Sequence, residues 1–160
     1  MISFTTPNGY HANLVSGGDA SLQLICDQLN RTHFGGELPP ISAFAATDLI
    51  HSSVSPIHAL TFKREEVPES TGLDTPWLIL IHQNFCALPF LAQLLIHEMT
   101  HVLLPDEDPH HSLKFWATLK EKWLIDFDLV LGVGLNADEI PSGLTKAILD
   151  ETAICRLLGF

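Results

Sequence analysis

Between Leu88 and Val102 the chain runs Leu-Pro-Phe-Leu-Ala-Gln-Leu-Leu-Ile-His-Glu-Met-Thr-His-Val, an apolar stretch interrupted by His97, Glu98 and His101. Leu88, Leu91, Leu94 or Leu95, and Val102 recur at the intervals of a helix with a broad apolar face. Pro89 is tolerable in a first turn, whereas Pro105 and Pro109 lack the amide needed to continue a helix and close the segment. So apolar a helix is expected to be buried, and burying charge without a partner is costly. Its polar residues therefore need a reason. On a helix His97 and His101 stack on one face, close enough to share one ion, while Glu98 sits about 100° further round, beside the two imidazoles.

The spacing H-E-x-x-H is a zinc-hydrolase signature in which two histidines hold the metal and the glutamate serves as base. Against it stands the structural alternative. The chain has nine histidines, and such a spacing also arises by accident, with the imidazoles capping or filling a core. The context favours metal. The helix is apolar, and a further pair, His110 and His111, follows within reach.

A catalytic zinc takes three protein ligands and keeps a fourth position for water. His111 is the expected third ligand, since the ten residues after His101 are enough chain to turn back. His110 is the close rival, because one residue turns a helical side chain by about 100°. Glu121 and Glu151 are further alternatives, as zinc accepts carboxylate oxygen. His51, His58 and His82 have no partner at ligand spacing and are expected to be exposed or hydrogen-bonded histidines.

The remaining sequence sets the surroundings. Residues 1–18 are rich in turn formers and suit an irregular or short-strand lead-in. Asp19 or Ser21 can cap a helix to about Phe34 that buries Leu22, Ile25, Leu29 and Cys26, and Gly35-Gly36 ends it. Pro39-Pro40 forces an extended entry into a strand from Ile41 to Thr47. Pro56 limits the next strand to Ile57–Phe62, and residues 63–76 read as a surface loop. Trp77–Ile81 is continuously apolar, as a central strand would be.

After the histidine-bearing segment, Asp108 is expected to cap a second helix with Pro109 at its first position and His110 and His111 in its first turn. That helix continues to about Leu124 with Leu113, Phe115 or Trp116, Leu119 and Trp123 inward, aromatics read as core rather than as a ligand platform. Gly132, Gly134 and Asn136 form a loop and not a phosphate cradle. Ser142 caps a last helix to about Leu157.

Composition excludes several classes of function. With 160 residues the chain is expected to form a single domain with a real core. Nineteen acidic against eight basic residues give a formal charge of −11, which repels a phosphate backbone, so tight nucleic-acid binding by this chain alone is not expected. No run reaches the roughly 18 apolar residues of a membrane helix, and the first residues lack a basic flank and apolar core, so a cytoplasmic protein is expected. Cys26, Cys86 and Cys155 are odd in number and widely spaced, as reduced cysteines are, and nothing marks a catalytic thiol.

The residues His97-Glu98-Met99-Thr100-His101, followed by His111-Ser112-Leu113-Lys114-Phe115-Trp116, resemble the SprT-like metallopeptidases, whose pattern is H-E-x-x-H followed by H-G-x-x-F. They also resemble the related YgjP-like group, which often has Ser after the third histidine and ends in Phe-Trp. Upstream, residues 29–39, Leu-Asn-Arg-Thr-His-Phe-Gly-Gly-Glu-Leu-Pro, are similar to the N-F-G-G-x-L-P stretch of SprT-like domains. The resemblance spans about residues 19–125.

It implies an α+β fold of the minimal zincin type: a small, mostly antiparallel sheet packed with an active-site helix and two or three further helices. It also implies a zinc ion held by His97, His101 and His111, Glu98 as general base, and a protein or peptide as substrate. His111 is selected over His110 because only His111 has Phe four residues on. Ser112 departs from the glycine of the SprT pattern and leaves the subfamily open. The Cys-rich zinc ribbon that follows some SprT-like domains is absent, which weakens any case for action on DNA-bound proteins. A non-proteolytic metal-binding or protein-interaction domain of the same fold is the alternative.

Overall fold

The computed structural model describes residues 2–15, 20–51, 57–86, 90–108 and 111–122. The expected helix from Ser142 to Leu157, the loop at Gly132–Asn136, Trp123, Glu151, Cys155 and His110 lie outside the described residues. Within them the chain is α+β, with a five-stranded mixed sheet and three helices.

The apolar run of the sequence, Trp77–His82, is strand β5. Leu78, Leu80, Ile79 and Ile81 are all buried, so both faces of this strand are covered, which accounts for the lack of polar alternation. On one side β5 pairs in parallel with β3 (Ile41–His51), on the other antiparallel with β4 (Ala59–Lys63). The lead-in resolves into a hairpin, β1 (Ile2–Thr5) and β2 (Tyr10–Leu14), added antiparallel to β3. The order is β1-β2-β3-β5-β4, with three antiparallel pairings around one parallel pairing.

Strand β3 runs four residues past the expected end at Thr47, because a bulge carries it on. Asn13 pairs with Asp48 but Leu14 with Ala46, so Thr47 is the extra residue. The bulge changes which positions face which core. Ile41, Ala43 and Ala45 point to one side with Ile79 and Ile81, while Ala46 and then Leu49 point to the other with Leu78 and Leu80.

On the first face lie α1 (Ala20–His33) and α2 (Phe90–Leu103), packed on each other and on β3, β4 and β5. Helix α1 is amphipathic and buries Leu22, Cys26 and Leu29. Its Gln23 bridges to β3, donating to the Ile41 carbonyl at 2.9 Å and accepting from the Ala43 amide at 2.9 Å. The amides of Phe34 and Gly36 both return to the Asn30 carbonyl, and Gly35 and Gly36 take positive φ of 61° and 73°, a turn only glycine makes cheaply. The Asn30 side chain also receives the Leu38 amide at 3.3 Å. The Asn-x-x-x-Phe-Gly-Gly-x-Leu-Pro stretch is thus a buckle that ends α1 and starts β3.

The opposite face is closed differently from the sequence expectation. Residues 63–76 are not a bare surface loop. They carry two single turns of 3₁₀ helix, Arg64–Glu66 and Glu69–Thr71, and bury Val67 and Leu73 with Phe4, Phe62 and Leu80. Among the described residues no helix is long and apolar enough to cross a membrane.

Helix α3 (Leu113–Lys122) begins later than the expectation of an Asp108 cap. Ser112 is the cap: its hydroxyl accepts the Phe115 amide at 3.1 Å, and its carbonyl receives the Trp116 amide at 3.1 Å. His111 therefore precedes the helix instead of lying in its first turn. Phe115, Trp116 and Leu119 are buried against α2, as expected of core aromatics.

Candidate metal centre

Helix α2 fixes two of the three histidines by its pitch alone. His97 and His101 are four residues apart, their ring centroids 5.1 Å from each other. After Leu103 the chain turns, and His111, held just ahead of the Ser112 cap, swings back over them. Its Nε2 stands 3.2 Å from His97 Nε2 and 3.1 Å from His101 Nε2. His97 is fully buried, and His101 and His111 are half-buried.

These distances are short for three imidazole nitrogens. A neutral imidazole nitrogen carries either one proton or one lone pair, so His111 Nε2 can make one linear hydrogen bond and not two. Two other Nε2 atoms nevertheless approach it equally closely. A shared cation would fit such an arrangement: with Zn–N bonds of about 2.0–2.1 Å at tetrahedral angles, ligand nitrogens lie about 3.3 Å apart. The His97–His111 and His101–His111 nitrogen pairs match that spacing, all three ligand atoms lie within 4.8 Å of one another, and the three histidines form the one group of this kind found among the described residues. The donor set fits zinc.

Electrostatics prepare the same site. Burial, with the nearby His101 and His111 imidazoles adding to it, holds His97 well below the ordinary histidine value of 6.5. It is neutral at physiological pH, with a lone pair available for a cation. Aromatic rings wall the cluster. Phe115 stacks on His101 at 4.3 Å and 24°, and Trp116 lies 4.9 Å from His111. The interval from His111 to Phe115 thus has a physical meaning, since the residue that anchors α3 in the core also pins the imidazole of His101.

Glu98 is buried at 2% exposure, on the side of α2 that faces β4. Its Oε2 accepts a hydrogen bond from the Thr61 hydroxyl at 2.6 Å. Thr61 was not foreseen from the sequence. A lone threonine in a strand carries no signal of its own, and only the packing of β4 on α2 brings it to the glutamate.

His51, His58 and His82 are placed elsewhere. His51 Nε2 contacts the Asn8 carbonyl at 3.0 Å and its ring lies 4.6 Å from Tyr10. His82 Nδ1 accepts the Asn84 amide, and the His58 ring packs edge-on against Phe85. Glu121 is exposed on α3 and not part of the three-histidine group. Cys26 is buried, its thiol pushed up to about 12 by burial and by Asp27, and Cys86 is half-buried.

Comparison of the chain with family models, with curated proteins and with solved structures finds no match.

Proposed function

We propose that this protein is a zinc-dependent metallopeptidase of the SprT-like or YgjP-like kind, with a minimal zincin fold, acting on protein or peptide substrates in the cytoplasm. One observation carries the reading: three Nε2 atoms, those of His97, His101 and His111, brought to 3.1–3.2 Å at the two closest pairs, with a buried glutamate next in sequence to the first of them. His97, His101 and His111 would hold the ion. When bound, zinc supplies Lewis-acid polarisation of a water and of the scissile carbonyl.

The chain's own contribution is the rest. Glu98 takes a proton from the attacking water on its carboxylate and delivers it to the leaving amine nitrogen as the peptide bond breaks. Its burial on the β4 side and its bond from Thr61 keep that carboxylate ready to accept. Neutral His97 keeps the site free of a competing proton at physiological pH. Phe115 and Trp116 exclude water from the rear of the cluster.

Strand β4 stands at the end of the sheet order, and among the described residues nothing pairs with its outer side. The His82 amide bonds the His58 carbonyl at 2.8 Å and the Arg64 amide bonds the Pro76 carbonyl at 2.9 Å. Antiparallel alternation between these two points turns the backbone groups of Leu60 and Phe62 toward β5, and those of Ala59, Thr61 and Lys63 outward. An extended peptide can be held there by backbone pairing. The Lys63 amide is already taken by Glu66 Oε2 at 2.7 Å, so the pairing edge centres on Ala59 and Thr61.

The test is metal analysis of the purified protein, followed by cleavage of an unfolded protein with and without chelator. The expected result is one zinc per chain and cleavage that chelation stops and zinc restores. Bound zinc without cleavage would move the protein to the alternative, a metal-binding or interaction domain of the same fold. Absence of any bound metal would end both metal-dependent readings and leave an interaction domain of the same fold.

A further inference from the structure

Resting on the metallopeptidase reading, we infer that Thr61 is a positioning residue for Glu98, and that through it the edge strand that receives the substrate also sets the aim of the general base. The Thr61 hydroxyl lies 2.6 Å from Glu98 Oε2 and 3.2 Å from the Glu98 main-chain carbonyl. Both neighbours are acceptors, so the hydroxyl must donate, and its single proton goes to the nearer and more basic carboxylate oxygen. A separation of 2.6 Å is that of a charge-assisted O–H···O⁻ bond, roughly twice as strong as a neutral one. The donor is held firmly. Thr61 is β-branched and restricted in χ1, and it sits in a strand paired to central β5, with Thr61 opposite Ile79.

The geometry makes the coupling specific. The side chain of Thr61 points with Ala59 toward the helical face of the sheet, onto α2, while its N–H and C=O point outward along the free edge. One residue therefore addresses the base with its hydroxyl and an incoming peptide with its backbone. A shift of β4 on docking is transmitted to Oε2 through a single hydrogen bond. Catalysis is sensitive to such a link, because a misplacement of about 1 Å at a reacting group can cost about a hundredfold in rate.

Two substitutions separate positioning from packing. Thr61→Val keeps the shape and removes the donor; Thr61→Ser keeps the donor and removes a methyl group. The full-length, zinc-loaded variants are to be compared with wild type for metal content, for kcat and KM on a mixed-sequence fluorogenic peptide set, and by crystal structure. Thr61→Val is expected to bind zinc fully, to keep KM within about twofold, and to lose about tenfold to a hundredfold in kcat. Thr61→Ser should recover kcat to within about threefold of wild type. In the crystals the Glu98 carboxylate should leave its place by about 1 Å or more in Thr61→Val and stay in Thr61→Ser. A Thr61→Val enzyme with wild-type kcat, or with Glu98 unmoved, overturns the inference. If wild-type protein cleaves no peptide, the metallopeptidase reading fails, and the position of the Glu98 carboxylate in the two variant crystals still decides what Thr61 does.

Discussion

Helices α1 and α2 have the same length, 14 residues each, and lie side by side on the same face of the sheet, yet they spend their polar residues in opposite ways. Helix α1 is an ordinary amphipathic element. Its exposed side carries Leu24 and charged residues, and its inward polar group, Gln23, is satisfied twice by the backbone of β3. Helix α2 is buried from Leu91 to Thr100 and still contains Gln93, His97, Glu98 and Thr100 in that interior. Thr100 closes on its own helix through the Ile96 carbonyl at 2.7 Å. The histidines instead meet each other and a third imidazole from outside the helix. A buried polar group whose partners are backbone atoms stabilises structure; buried polar groups that converge on a common point are poised for a ligand.

The sharpest way to break this contrast is to remove the converging groups. His97→Ala and His101→Ala are expected to abolish metal binding and with it all cleavage. Glu98→Gln should keep the metal and lose turnover by a factor of about 10² to 10⁴, the usual worth of a positioned base. Metal content and kcat measured on the same preparations check both. Substantial cleavage by Glu98→Gln would remove the base from the mechanism, and full metal content in His97→Ala would remove the ligand set. The matching change in α1, Gln23→Ala, leaves metal and turnover alone and costs about 1–3 kcal/mol of stability, because it strands a backbone amide and carbonyl of β3.

Stability gives the next contrast. Leu94 is fully buried one turn ahead of His97 and Glu98, between the sheet and the helix. Leu94→Ala should cost about 3–5 kcal/mol, the transfer term plus the cavity left in a closely packed core. Denaturant unfolding measures it directly. Part of that loss should return when zinc is added, since a ligand bound only by the folded state stabilises it by about 4 kcal/mol at a thousand times its dissociation constant. No such recovery is expected to depend on α1. If zinc fails to stabilise the wild-type protein at all, the histidine cluster is packing and not a centre.

Some of this arrangement is legible in the amino-acid sequence and some is not, and particular residues show why. His97, Glu98 and His101 were readable because a helix fixes the relation between positions three and four apart, so sequence spacing is already geometry. Strand β5 was readable because a run apolar on both faces has only one place in a sheet. The position of His111 was open to His110 from spacing alone, since the turn between Leu104 and Ser112 has no period from which to reckon. Chain length after His101 favoured His111 with His110 as close rival, the resemblance selected His111, and its Nε2 lies 3.1–3.2 Å from those of the other two. The start of α3 was misread because Asp108-Pro109 and Ser112 are both good caps, and it is tertiary packing of Phe115 on His101 that selects the second. The burial of Val67 and Leu73 was hidden by the acids and prolines around them. Thr61 could not have been found at all, because its role arises across 37 residues of sequence and one sheet edge.

Acid offers a smaller effect with a definite sign. His97 titrates well below 6.5 in the folded protein, through burial and its histidine neighbours, whereas an unfolded chain takes up that proton near the ordinary value. Between the two values the unfolded state binds more protons, so metal-free protein must lose stability as pH falls below about 6.5. For one proton the slope is up to about 1.4 kcal/mol per pH unit. Unfolding of the chelated protein at a series of pH values between 7 and 5 measures it. A His97→Phe variant, which keeps the ring volume and has nothing to protonate, should flatten this part of the profile. A profile unchanged by that substitution would assign the acid sensitivity to other groups.

The smallest effect lies in α1 and distinguishes burial that carries chemistry from burial that suppresses it. Cys26 is as deeply enclosed as His97, but desolvation together with Asp27 raises its thiol to about 12, so the nucleophilic thiolate is absent at neutral pH. The same physical cause, loss of water around an ionisable group, leaves His97 as a neutral ligand and Cys26 as an inert packing group, because one is useful uncharged and the other reacts only when charged. Native protein at pH 8 should therefore leave Cys26 unmodified by iodoacetamide over times in which half-buried Cys86 is labelled, and unfolding in denaturant should expose it. Peptide mapping by mass spectrometry reads each site separately. Labelling of Cys26 at the rate of Cys86 in the folded state would mean that α1 opens locally and that its burial does not protect the thiol.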